Sequence, residues 1–206
     1  MGKLYYLIGK SASGKDSFRE ALLQDAYLSL NEIVQCTTRP IRAGEQDGRE
    51  YHFLTDAQVD ELNAAGKIVE LRAYNTIYGV WKYMLADTGH IDLENKDYVA
   101  VGTVESYQKV RDYFGEARVV PIYIYVEAGE RLARALNRER AQSQPKYKEL
   151  CRRFLADEED FDDAHLQEAG LLNADGNVRN CFENLDFQEC LENVKRFITH
   201  DRESAK

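Results

Sequence analysis

Leu4-Tyr-Tyr-Leu-Ile8 runs without a charged residue straight into Gly9-Lys-Ser-Ala-Ser-Gly14-Lys15, and no other stretch of this chain restricts its fold as tightly. A short continuous apolar run suits a strand buried on both faces of a parallel sheet. Beyond the glycines, Phe18, Ala21, Leu22 and Leu23 keep helical spacing among charges from Lys15 to Asp25. The segment therefore reads strand, glycine loop, helix. In a GxxxxGK loop the glycines let backbone N–H groups converge on phosphate oxygens, and the lysine reaches the outer phosphates. The helix beginning at Lys15 aims its positive end at the same anion. Gly9, Ser11, Ala12, Ser13, Gly14, Lys15, Asp16 and Ser17 are the residues expected around those phosphates. Asp16 stands where such a loop usually offers magnesium a hydroxyl, so a charged metal ligand is expected there, although a carboxylate also repels phosphate.

Ile33 to Cys36 reads as a second short strand, and Tyr98 to Val101 and Val119 to Val126 are further apolar, β-branched-rich runs. Helical patterns cover Val104 to Phe114, Glu130 to Ala141, Lys148 to Phe161 and Phe187 to Ile198. Such alternation predicts an α/β fold built on a doubly wound parallel sheet. Between Thr37 and Trp81 the pattern changes to short strands at Tyr51-His-Phe53, Ile68 to Tyr74 and Ile77 to Trp81, with one helix near Asp56 to Ala65. That reads as an inserted small mixed β lobe. With 206 residues and 44% hydrophobic content, one domain is expected over 1–206. Its core is expected from 1–36 and 98–200, the lobe at about 37–97 and a lid at about 138–152; the tail Asp201 to Lys206 is expected to fray.

A formal net charge of -9 argues against a nucleic-acid polymer or an anionic membrane as partner, because a polyanion requires a broad basic face. Phosphate ligands must then be met by local cations. Met1 to Ile8 is too short for a signal peptide or a span, and a cytoplasmic protein is expected. Cys36, Cys151, Cys181 and Cys190 lack paired spacing and read as small buried or half-buried hydrophobes rather than a metal site or disulfides. The sequence leaves the oligomeric state open.

Thr37-Thr-Arg39-Pro-Ile-Arg42 continues through Gly44-Glu-Gln-Asp-Gly48 to Tyr51-His-Phe53, placing two arginines after a strand and before an aromatic one. Forked guanidinium groups suit a phosphate, and the Tyr51 hydroxyl can join them, although a single arginine is more often a solvated surface residue. The pattern TTRPxRxGExDGxxYxF closely resembles the acceptor-phosphate segment of guanylate kinases, and weaker similarity extends over nearly the whole chain. The resemblance implies a P-loop NTPase-type fold and nucleotide partners, with ATP and Mg2+ on the glycine loop and GMP as acceptor. It implies that Arg39, Arg42, Tyr51 and Tyr78 clamp the GMP phosphate and that Glu70 accepts hydrogen bonds from guanine. Gln35 and Val80 stand where the family usually has serines, and Val101-Gly-Thr103 stands in place of an Asp-x-Asp. Thr103 can hydrogen-bond a base but brings no charge. A different small phosphorylated acceptor, such as a sugar phosphate, and a non-catalytic phosphate-binding module remain alternatives.

Arg131, Arg134 and Arg138 share one helix stripe, and Arg152-Arg153 open the next helix. Phosphoryl transfer needs cations around the equatorial oxygens, commonly brought by a closing lid. The resemblance points to Arg138 or Arg134 and to Arg153, so Lys15, Arg138 and Arg153 are the expected catalytic residues. Pairs such as Glu130 with Arg134 would form on any solvated helix. The acidic run Asp157 to Asp160 with Asp162 and Asp163 reads as a solvated face rather than a metal site. His52, His90, His165 and His200 show no ligand spacing. Asn184-Leu-Asp186 resembles the family's adenine-side loop, and a turn before the last helix explains it equally well.

Overall fold

The computed structural model describes residues 1–41, 45–49, 51–76 and 79–204, with 74–76 described by their backbone alone. Five parallel strands form its main sheet in the order β2 (Asn31–Glu32), β7 (Tyr98–Gly102), β1 (Leu4–Ile8), β8 (Val119–Tyr125) and β9 (Cys181–Glu183). β1 is central, pairing Leu4 with Tyr98 on one side and with Val119 on the other. Its side chains alternate between two cores, as strand geometry requires. Leu4, Tyr6 and Ile8 face Val104, Tyr107 and Val110 of α3 (Val104–Phe114) and Leu166 of α6 (Asp163–Glu168). Tyr5 and Leu7 face Phe18 and Leu22 of α1 (Lys15–Leu23) and Leu191, Val194 and Ile198 of α7 (Phe187–Ser204). Helices on both faces make the sheet doubly wound.

A second sheet has the order β4 (His52–Phe53), β3 (Cys36–Thr37), β6 (Gly79–Ala86) and β5 (Ile68–Thr76). β3 runs parallel to β4 and antiparallel to β6, which is antiparallel to β5, so the sheet is mixed. α2 (Asp56–Ala64) opens with a reciprocal cap between Thr55 and Gln58. Val69 and Leu85 of this sheet pack into the same core as Leu4 and Tyr6. The remaining helices, α4 (Ala128–Arg140) and α5 (Tyr147–Asp160), are joined by a short connection.

Four sequence expectations change. The strand expected at Ile33 to Cys36 is the junction between sheets: β2 ends before it in one sheet, and β3 begins at Cys36 in the other. Of the strand expected at Ile77 to Trp81, Ile77 and Tyr78 lie outside the described residues, and β6 runs from Gly79 to Ala86. The tail is helical to Ser204, because Asp201 accepts hydrogen bonds from Lys3 Nζ (3.2 Å) and the Tyr5 hydroxyl (3.0 Å), while Arg202 pairs with Asp97 at 2.6 Å. Ala205 and Lys206 lie outside the described residues. Cys36 and Cys190 are buried and unpaired; Cys151 and Cys181 are also unpaired but exposed, unlike the buried or half-buried role expected of them.

Candidate active site

The glycine loop leaves the carboxyl end of β1, where ligands of open α/β sheets bind. Gly9 is required by crowding: a Cβ there would lie 2.5 Å from the Ile124 carbonyl oxygen and 2.8 Å from Ser13 Oγ. Gly14 caps α1 with φ 97°, a conformation that favours glycine. Ala12 also has positive φ, 64°, without being glycine. Ser13 is fully buried and its hydroxyl has no partner among the described residues. Behind the loop, buried Asn184 donates from Nδ2 to the Ser13 carbonyl at 2.8 Å. This fixes the loop from the far end of the chain, a role the sequence hinted at only through the Asn184 resemblance. The Lys15 ammonium reaches the Lys10 carbonyl at 3.4 Å, and burial lowers its pKa below the ordinary lysine value. Asp16 and Ser17 are exposed in the first turn of α1.

α4 and α5 lie over this loop. Arg138, Arg153, Ser11 and Phe154 line one cavity of about 190 Å³, and Arg153 Nη2 donates to Ser11 Oγ at 3.2 Å. The two expected lid arginines thus meet beside the loop. Arg134 is tied to Glu130 (2.8 Å) and to the Asn184 carbonyl (3.0 Å). Arg131, expected on the same lid stripe, is instead 2% exposed. Its Nη2 donates to Glu158 at 2.6 Å, its Nη1 lies 3.6 Å from Asp157, and its guanidinium sits over the Phe154 ring. It is a strut between α4 and α5.

The acidic run is not simply a solvated face. Asp157 Oδ2 accepts the Ser11 amide at 2.7 Å, and Glu158 accepts Lys10 Nζ at 2.7 Å. The Lys10 bond, ahead of Arg131, holds the Glu158 carboxyl below its ordinary pKa. Two carboxylates of α5 are therefore bound to the loop. Their neighbours Glu159 and Asp160 are exposed, as expected.

The residues expected on the acceptor side begin next door, because Gly102 of β7 pairs with Ile8. A Cβ at Gly102 would lie 2.0 Å from the Tyr6 hydroxyl, so only glycine fits. Thr103 is exposed and caps α3, accepting the Ser106 amide at 3.3 Å. Ser106, which sequence reasoning missed, donates its hydroxyl hydrogen to Glu70 Oε2 and accepts a hydrogen bond from the Tyr6 hydroxyl at 2.6 Å. Burial pushes the Tyr6 phenol up. Glu70 is 9% exposed, and its other oxygen lies 3.0 Å from Arg72 Nε. Gln35, Tyr51, Arg72, Trp81 and Tyr83 line a cavity of about 480 Å³. Arg39 is 4% exposed, donating to Glu45 (2.8 Å) and the Pro40 carbonyl (2.8 Å), with the Tyr51 ring 5.6 Å away. The Glu45 bond raises its pKa above the ordinary arginine value. Arg42 and Tyr78 lie outside the described residues.

A glycine loop after a central parallel strand, a half-buried lysine at its end, arginines beside it and an adjoining mixed lobe define a P-loop nucleoside monophosphate kinase. The family described as Guanylate kinase matches residues 1–201, and the chain belongs to that family. A guanylate kinase of Porphyromonas gingivalis is 29% identical over 200 residues, covering 96% of this chain and 97% of its own. A guanylate kinase of Bordetella pertussis is 39% identical over 79 residues, covering 38% and 36%. The crystal structure of guanylate kinase from Anaplasma phagocytophilum shares the fold, with TM-score 0.59 and 18% identity, covering 97% of this chain and 86% of that one.

Proposed function

We propose that this chain transfers the terminal phosphoryl group of ATP to GMP, giving ADP and GDP. The observation that carries this reading is the family match over residues 1–201, which takes in both the Lys15 loop and the arginine segment after β3. The two anions meet end to end: ATP on the amides of the loop and Lys15, and the acceptor phosphate on Arg39, Arg42, Tyr51 and Tyr78. Glu70 and Thr103 read the base. Arg138 and Arg153 close on the moving group and stabilise charge on its equatorial oxygens. No side-chain base is needed, because the attacking phosphate oxygen is already anionic. In this reading the core comprises 1–36 and 98–200, the acceptor lobe about 37–97 and the lid about 138–152. In this reading the enzyme is cytoplasmic and binds nucleotides, and its net charge of -9 disfavours a nucleic-acid polymer or an anionic membrane as partner. Among the described residues, no helix is long and apolar enough to cross a membrane.

Magnesium fits the donors present. Among the described residues no group of three His, Cys, Asp or Glu side chains is placed to hold a metal. Magnesium, however, is commonly held by one or two carboxylates together with substrate phosphates and water. Asp16 would supply the carboxylate, and the ion would neutralise charge between the outer phosphates. Asp16→Asn is expected to raise the magnesium concentration for half-maximal rate several-fold, read from a magnesium titration at saturating nucleotides; an unchanged midpoint would remove Asp16 from the metal. The activity itself is tested by following ADP with ATP, magnesium and GMP against a panel of sugar phosphates. GMP-dependent ADP is expected, and ADP formation with a sugar phosphate alone would overturn GMP as acceptor.

A further inference from the structure

Arg72, on the wall of the acceptor cavity, is paired with a carboxylate behind it. Glu70, nearly buried on β5, has one carboxylate oxygen engaged by the Ser106 hydroxyl and the other 3.0 Å from Arg72 Nε, two residues along the same strand face. Alternate residues of a strand point the same way, so carboxylate and guanidinium stand side by side. Arg72 lines the cavity together with Gln35 and three aromatic rings. With Nε turned to Glu70, the terminal nitrogens carry the other four N–H donors. A fixed acceptor beside a fixed donor fits a base edge that offers a donor beside an acceptor.

We infer that Arg72 is a specificity-determining residue that donates to O6 of the acceptor purine while the neighbouring carboxylate takes the adjacent N–H groups. Guanine presents O6 as an acceptor and its 2-amino group as a donor, and arginine is the side chain best suited to a guanine oxygen. An adenine carries a donor at position 6 and would face the guanidinium with the wrong polarity, so the pair also rejects AMP. This rests on GMP being the acceptor.

The test compares GMP, 6-thio-GMP, in which only O6 is changed to the weaker acceptor sulfur, and IMP, which lacks only the 2-amino group. The intact chain and Arg72→Met are assayed for kcat/KM with each. The expected result is a GMP-to-6-thio-GMP preference that falls at least five-fold in Arg72→Met, while the GMP-to-IMP preference stays within two-fold. The loss should appear in KM rather than kcat, because the base is remote from the transferred group. An active Arg72→Met that keeps its 6-thio preference overturns the inference. So does one that loses the IMP preference instead, since Arg72 would then act only by positioning Glu70. An intact chain that turns over no GMP overturns the acceptor reading and this inference with it.

A separate observation at the other end of the site carries a second inference. The Ser11 amide, one of the N–H groups of the phosphate loop, donates to Asp157 at 2.7 Å, and Lys10 is paired with Glu158. A carboxylate on a loop amide and a triphosphate in the same loop repel each other. The geometry points to an autoinhibitory contact: the carboxylates of α5 occupy part of the phosphate loop and must leave it before ATP seats fully. Calorimetry with ATP tests this on the intact chain, on Asp157→Ala, and on Asp157→Asn, which keeps a hydrogen-bond acceptor and so guards against misfolding. Both variants are expected to bind ATP about five-fold tighter. Unchanged or weaker binding in Asp157→Asn would overturn the inference, because the carboxylate would then support the loop rather than block it. No binding by any of the three overturns the triphosphate reading and this contact together.

Discussion

Lys15→Ala is expected to lower kcat with ATP and GMP about 10³-fold, roughly 4 kcal/mol of barrier, while melting close to the intact chain. Removing one preorganised donor from a developing oxyanion commonly costs about 10²–10³ in kcat. Lys15 belongs at the upper end, since it carries a full charge in a site where burial already lowers its pKa. Among the described residues the side chain bonds the Lys10 carbonyl alone, at 3.4 Å, so its loss leaves little of that structure unsupported. The same burial sets a pH limit. Phosphate binding needs the ammonium, and it is lost as pH rises through the folded pKa, which lies below the ordinary lysine value of about 10.4. ATP affinity is therefore expected to weaken on the alkaline side earlier than an exposed lysine would allow, as read by calorimetry across pH. A Lys15→Ala enzyme with unchanged kcat would contradict the placement of ATP on this loop.

Arg39→Ala is expected to raise the KM for GMP roughly 10- to 100-fold, because charge-assisted hydrogen bonds contribute about 1.5–3 kcal/mol. Arg39 is nearly buried and held by Glu45 and the Pro40 carbonyl, so it presents a fixed rather than a searching guanidinium. Arg39→Lys separates charge from geometry. The ammonium keeps the charge but loses the fork, and an intermediate KM is expected. Because Arg39→Ala also leaves the Glu45 carboxylate without this partner, steady-state kinetics should be read beside a thermal melt. A folded Arg39→Ala with unaltered KM for GMP would remove Arg39 from the acceptor clamp.

The first strand, its glycine loop and α1 were legible in the sequence because they are consecutive. A buried strand, two glycines and a helical stripe are local patterns, and the loop lies where they put it. Helices α3, α4 and α5 were legible for the same reason. What the sequence concealed depends on distant partners. Ile33 to Cys36 reads as one short strand, yet the chain crosses there from one sheet to the other. Arg131 shares the periodicity of Arg134 and Arg138, and only the packing of α5 against α4 buries it. Asp157 and Glu158 resemble their solvated neighbours in composition, and their bonds reach back nearly the whole chain to Ser11 and Lys10. Ser106 carries no motif; its importance comes from standing between Tyr6 and Glu70. Arg39 was legible as a cation in the right segment, but its ties to Glu45 and Pro40 were not.

Two anions brought end to end between an amide-lined loop and a guanidinium clamp should make one ligand that spans both bind far better than its halves. The direct measurement is calorimetric titration with adenosine and guanosine joined through a polyphosphate chain, on the intact chain, Lys15→Ala and Arg39→Ala. Affinity at least 100-fold above that for ATP or GMP alone is predicted, with at least a ten-fold loss in each variant. Affinity no better than that for ATP, together with indifference to Arg39→Ala, would contradict it.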